Sequence, residues 1–221
     1  MDKIGDVLVI MIPNTADYGG ICYWWDNGFS IAYCPKSNYG YPLDWRGVVQ
    51  HEAGGHGFGK LGDEYIYHNA FIDACDCTCC GHYFNHDGDI FMNLSMTGKM
   101  SEVPWSHLIF HEKYSQIVDI FEGGYMHNRG VYRSEQNSCM NNDIPYYSTI
   151  SREYIVRRIK KIAGETFSFE DFVANDVLEA GPSTKAFDGG MPVYVPVTMK
   201  HSMPVMMDEK NVEKEQHHHN H

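Results

Sequence analysis

Two histidines five residues apart, with two glycines between them, constrain this chain more than any other feature. They open the stretch His51-Glu52-Ala53-Gly54-Gly55-His56-Gly57-Phe58-Gly59-Lys60-Leu61-Gly62-Asp63-Glu64-Tyr65. An α-helix turns about 100° per residue, so an i,i+4 pair is offset by roughly 40° and an i,i+5 pair by about 140°. On an ordinary α-helix His51 and His56 therefore do not share a face. A wide π-turn, bonded from i to i+5, restores one. Gly54 and Gly55 ease that distortion at a helix cost of about 1 kcal/mol each, and glycines inside a helix need a reason to be there. The competing reading keeps the helix regular and pairs Glu52 with His56, properly i,i+4, on its surface. The spacing predicts a helix widened or kinked at Gly54–Gly55, with both imidazoles turned to one metal.

The flanking sequence predicts where that helix sits. Asp6 to Pro13 is a continuous apolar run rich in β-branched residues and reads as a buried strand. Ile21–Trp25 and Phe29–Tyr33 flank Asp26-Asn27-Gly28, a β-hairpin turn signal. The helix with the two histidines begins near Trp45. Strand, hairpin and helix in that order give a mixed α/β (α+β) class. Farther on, an amphipathic helix is expected from about Tyr147 to Ala163, with Ile150, Tyr154, Ile155, Ile159 and Ile162 apolar. Lys160 and Lys161 in its last turn and Gly164 after it are its stop signal. Met199 to Met207, interrupted by Pro204, reads as an irregular packing segment.

Charge and length remove several classes of function. A net charge of −12 argues against nucleic acid as a partner, because phosphate binding needs clustered Lys and Arg. No run of eighteen apolar residues is present, so no membrane-spanning helix is expected. A chain of 221 residues suits one domain of medium size with an appendage. Seven cysteines include the cluster Cys75-Asp-Cys77-Thr-Cys79-Cys80, while Cys22, Cys34 and Cys139 stand apart. The cluster fits a disulfide-stapled loop of an exported protein, free thiols, or a metal site with His82 or His86. Its spacing matches no standard zinc knuckle.

Several blocks in order carry a family resemblance. His51-Glu-x-x-Gly-His56-x-x-Gly59-x-x-x-Asp63-Glu64-Tyr65, then Pro104-Trp105-Ser-His107, then Tyr132-Arg133 and Ser138-Cys-Met140, resemble the bacterial IgA peptidase family of metzincin-like zinc endopeptidases. The resemblance spans roughly residues 5 to 163. It implies one catalytic Zn²⁺, with His51 and His56 as ligands and Glu52 as the general base. Gly59 would let the chain turn after the helix. The third ligand would be an acid, Asp63 or alternatively Glu64; metzincins place it six residues after the second histidine, which is Gly62 here. Met140 would be the methionine that supports the metal from below. Tyr132, Arg133 and His107 would be candidates for holding substrate or a developing oxyanion.

The resemblance also implies a metzincin-like zincin fold: a mixed twisted sheet with an antiparallel edge hairpin over the active-site helix, then a mostly helical C-terminal subdomain. The expected organisation is a catalytic domain over residues 1–163 with N-terminal elements missing, an extension over 164–207, and a disordered tail, tag-derived in part, over 208–221. The implied protein is secreted, periplasmic or on the cell surface and acts on protein or peptide substrates. The alternative is a non-catalytic module that binds metal or ligand and keeps the peptidase fold.

Overall fold

A computed structural model describes residues 7–16, 19–25, 27–36, 38, 44–71, 91–178 and 205–207, the side chains of 67–71 and 205–207 excepted. The cysteine run Cys75–Cys80, His82, His86, the segment Phe187–Val197 and the tail 208–221 lie outside the described residues. The chain divides into two compact units, Met1–Phe58 with Met199–His221, and Gly59–Thr198. Among the described residues no helix is long and apolar enough to cross a membrane.

The first unit is a four-stranded mixed sheet and one long helical segment. Strands β1 (Leu8–Met11), β2 (Ile21–Trp25), β3 (Ser30–Tyr33) and β8 (Val205–Met207) lie in the order β1-β3-β2-β8. β2 and β3 form the expected antiparallel hairpin, with Gly28 at φ +91° in its turn. The hairpin is not at the edge, however. β1 pairs with β3 in parallel, and β8 pairs with β2 in parallel. Val205–Met207, within the stretch expected to be irregular, is thus a strand. β1 is itself an edge strand, and the burial predicted for it is only partial: Val9, Ile10 and Met11 are 38%, 45% and 49% exposed.

Asp44 caps the helical segment by accepting the Arg46 backbone N–H through its side chain at 3.0 Å. The segment runs as helix α1 (Trp45–Val49) and continues without a break as a π-helix over Gln50–Phe58. It packs on β1, β2 and β3. The core between is made of Cys22, Ala32, Cys34, Val48 and Ala53, with Leu8 and Val49 beside them. Burial pushes the Cys34 thiol up, and the field of Glu52 adds to it, so this sulfur stays protonated as a small hydrophobe. The close approach depends on Gly57, where a Cβ would stand 2.7 Å from Leu8 Cδ1.

The second unit holds a sheet that the sequence reading did not anticipate. Strand β7 (Met126–Arg133) is its centre, joined by β4 (Ile66–Phe71) in parallel and by β5 (Leu94–Ser95) and β6 (Phe121–Gly124) antiparallel. Short strands interrupted by Gly and register shifts carry little period-two signal, which is why they escaped notice. Helices α2 (Ser106–Ile109), α3 (Cys139–Asn142), α4 (Thr149–Ala163) and α5 (Phe169–Asn175) make up its helical part. Trp105, Leu108, Tyr114, Val118, Ile150 and Phe172 are buried together in its core. α4 ends as its sequence requires, with Gly164 at φ +71° donating its N–H to the Lys160 and Lys161 carbonyls. Its apolar face is shorter than the periodicity suggested, since Ile159 and Ile162 are 47% and 50% exposed.

Candidate metal centre

The wide helical turn predicted from the histidine spacing is present and longer than expected. It covers all of Gln50–Phe58 rather than one turn at Gly54–Gly55. Bonding from i to i+5 stacks His56 over His51. Their ring centroids are 4.8 Å apart with planes at 76°, so the imidazoles stand edge to face on one side of the helix.

The continuous stretch from His51 to Asp63 brings a third donor to them. Ligand atoms of His51, His56 and Asp63 all lie within 4.8 Å of one another, and all three residues are buried. Two imidazole nitrogens and a carboxylate oxygen at such separations form a donor set able to chelate a divalent cation. Burial favours it further, because a carboxylate is costly to hold in a dry site and a cation offsets that cost.

The neighbouring acid, Glu64, has its own hydrogen-bond partners. Its Oε1 accepts from Asn93 Nδ2 at 2.9 Å, and its Oε2 accepts from the Ser138 hydroxyl at 2.5 Å. Glu64 is therefore held by neutral donors, while Asp63 faces the histidines. Burial pushes the Glu64 carboxyl up to about 7 against these hydrogen bonds and the field of Arg133.

The same groups fix the loop that presents Asp63. Asn93 accepts the Gly62 N–H at 2.9 Å and donates to the Gly62 carbonyl at 2.8 Å, so its amide has one orientation. The Asp63 carbonyl accepts from Tyr125 N–H, and Glu64 N–H donates to the Met140 carbonyl at 2.8 Å. Met140 is fully buried and meets this loop through its backbone. Ser138 caps α3 by accepting the Met140 N–H at 3.0 Å while its proton goes to Glu64, so one hydroxyl serves both. Asn93 and the role of Glu64 were not foreseen. Asn93 stands in a polar stretch with no periodicity and has no local signal.

Glu52 is fully buried in the π-helix. The backbone of Gly20, at the entry to β2, lies against it: a Cβ there would be 2.2 Å from Glu52 Oε1. Gly59 follows the π-helix at a turn, and the left-handed residue there is Lys60, at φ +55°.

Tyr132, Arg133 and His107 have structural partners of their own. Tyr132 and Arg133 end the central strand, where both pair with β5 and β6. The Arg133 guanidinium donates to the Glu122 carbonyl at 3.1 Å and to that of Gly123 at 2.6 Å. His107 Nε2 lies 2.7 Å from Glu153 Oε2, and its ring meets Phe169 edge-on. No family model matches the chain, and no curated protein sequence does.

Proposed function

We propose that this chain is a zinc-binding protein whose centre is His51, His56 and Asp63. The observation that carries the reading is the convergence of three buried donors within 4.8 Å on one stretch of chain. The donor chemistry suits Zn²⁺, which takes imidazole and carboxylate together, better than Ca²⁺ or Mg²⁺, which prefer oxygen alone. Binding at this centre without catalysis is the reading with the most direct support, since all three donors and Glu52 have 0% exposure.

The second reading is a zinc-dependent endopeptidase, exported and acting on proteins, as the resemblance to the bacterial IgA peptidase family implies. The place of Glu52, next to His51 in the same π-helix, favours it. A metal held by two histidines and an aspartate supplies Lewis-acid polarisation of a carbonyl and makes a bound water more acidic. Glu52 would take a proton from the attacking water and return it to the leaving amine nitrogen. The backbone of Gly20 would limit the rotamers from which it does so.

One experiment separates the two. Protein lacking the terminal histidines is analysed for metal and incubated with unfolded casein, alongside Glu52→Gln. Stoichiometric zinc with chelator-sensitive cleavage that disappears in Glu52→Gln supports the peptidase. Stoichiometric zinc with no cleavage by either protein leaves the binding module. Absence of zinc from both refutes the centre itself.

A further inference from the structure

We propose that Ser30, on strand β3, is a positioning residue for the metal centre: its hydroxyl pins the end of the π-helix in the register that brings His56 over His51. The proposal rests on His51, His56 and Asp63 holding zinc. Ser30 is fully buried, and its backbone is paired on both sides, with Leu8 of β1 and Trp24 of β2. Its Oγ donates to the Gly57 carbonyl at 3.1 Å, across 27 positions of sequence. Gly57 follows His56 directly.

A helix leaves the carbonyls of its last turn without partners inside it. Gly57 lies in that turn and is buried, so its carbonyl needs a donor from elsewhere in the protein. Ser30 supplies one from a strand that cannot follow if the helix rewinds. On a regular α-helix from Gln50, His56 would stand about 140° round from His51. The Gly57 carbonyl, one peptide farther on, would be carried round with it. A donor fixed on β3 meets that carbonyl in the wide register and misses it in the regular one. The bond therefore favours the wide register before any metal arrives.

A simpler account, that a buried hydroxyl only needs some acceptor, does not fit the neighbours. The Gly28 carbonyl, two residues back, lies 3.5 Å away, yet the remote Gly57 carbonyl is nearer. Ala32 and Cys34 continue the same inward row and are fully buried with Val48 and Ala53. Packing beneath the helix thus asks for a small apolar residue, not for a hydroxyl. Gly57 suits the approach from the other side. A Cβ there would meet Leu8 Cδ1 at 2.7 Å and the Glu52 carbonyl, five residues back, at 3.3 Å. Five residues is the span of a π-turn.

The test uses the full-length chain with residues 217–219 and 221 changed from histidine to asparagine, so that the tail does not compete for metal. Ser30→Ala should lower zinc affinity about tenfold in competition with a chromophoric chelator and alter the visible spectrum of bound Co²⁺. In the metal-free chain it should speed hydrogen exchange over Gln50–Phe58 about tenfold, with α4 unchanged. Ser30→Thr restores the hydroxyl and should recover the parent's spectrum and exchange. Gly164→Ala, which lowers stability away from the centre, should change neither. Parental exchange and spectrum in Ser30→Ala overturn the proposal, as do equal changes in Gly164→Ala or a folded Ser30→Thr that behaves as Ser30→Ala does. Failure of the parent to bind zinc refutes the centre instead, and the metal-free exchange still decides whether Ser30 holds the register.

Discussion

The π-helix over Gln50–Phe58 and helix α4 obey opposite rules. α4 follows local preference throughout: a buried start at Ile150, cations in its last turn and a left-handed glycine after it. The π-helix contradicts local preference. It carries three glycines, Gly54, Gly55 and Gly57, buries two histidines and a glutamate, and uses a hydrogen-bonding pattern that rarely lasts beyond one turn. Helix α4 is therefore what its own sequence dictates, whereas the π-helix requires its surroundings to hold it. Irregularity sustained at that cost is a signature of a site.

The largest expected effect tests whether the irregular region exists for its donors. Asp63→Asn should lower zinc affinity more than about 100-fold, because even partners one layer out typically cost ten- to hundredfold. Glu64→Gln should fall in that smaller range. A glutamine offers one carbonyl oxygen where Asn93 and Ser138 both donate, so the loop loosens while the ligand remains. Competition with a chromophoric chelator measures both. The reverse order, with Glu64→Gln the more damaging, would make Glu64 the ligand.

The contrast also explains what the sequence reveals. The histidine spacing makes a widened or kinked helix the condition for a shared metal, because a regular α-helix gives an i,i+5 pair no common face. The boundaries of α4 are likewise legible, because Lys160, Lys161 and Gly164 act on neighbours in sequence. The third donor is legible only as a choice of two, since what separates Asp63 from Glu64 is Asn93 and Ser138, remote in sequence and meeting Glu64 only in the fold. The burial of β1 was misjudged for a related reason: apolar composition does not reveal that a strand lies at a sheet edge. Of the strands around β7, β5 and β6 have four residues or fewer and give no measurable period, and β4 pairs with β7 through register shifts.

A pair of glycine-to-alanine changes sharpens the comparison at the level of stability. Gly57→Ala places a methyl 2.7 Å from Leu8 Cδ1 and 3.3 Å from the Glu52 carbonyl. Overpacking of this kind costs about 1–3 kcal/mol. Gly164→Ala meets nothing within 4 Å and is penalised only by its φ of +71°, about 1–2 kcal/mol. Urea denaturation of both variants should give the larger loss at Gly57, with a fall in zinc affinity that Gly164→Ala does not share. Equal losses, with zinc affinity intact in both, would mean that the π-helix does not depend on its close seat against β1.

The smallest effect is a slope. Glu135 is buried beside the start of α4, where its Oε1 accepts the Thr149 N–H at 2.6 Å and its Oε2 accepts from Tyr146 at 2.7 Å. Burial raises its carboxyl above the usual range, and these hydrogen bonds only partly oppose the rise. A carboxyl raised in the folded state takes up a proton on folding. Its contribution is therefore fully present below its unfolded value of 4.5 and is lost as pH rises through the folded value. Glu135→Gln keeps an oxygen for Thr149 but cannot titrate. Across the acid-to-neutral range, with chelator present throughout, the melting temperature of Glu135→Gln minus that of the parent should increase with pH. Glu64 titrates with the same sign, and the field of Glu135 adds to its rise, so the difference reads Glu135 together with its coupling to Glu64. A difference that stays constant with pH would mean that the start of α4 is held by a carboxylate already ionised on folding, and that the regular helix, too, rests on a buried charge.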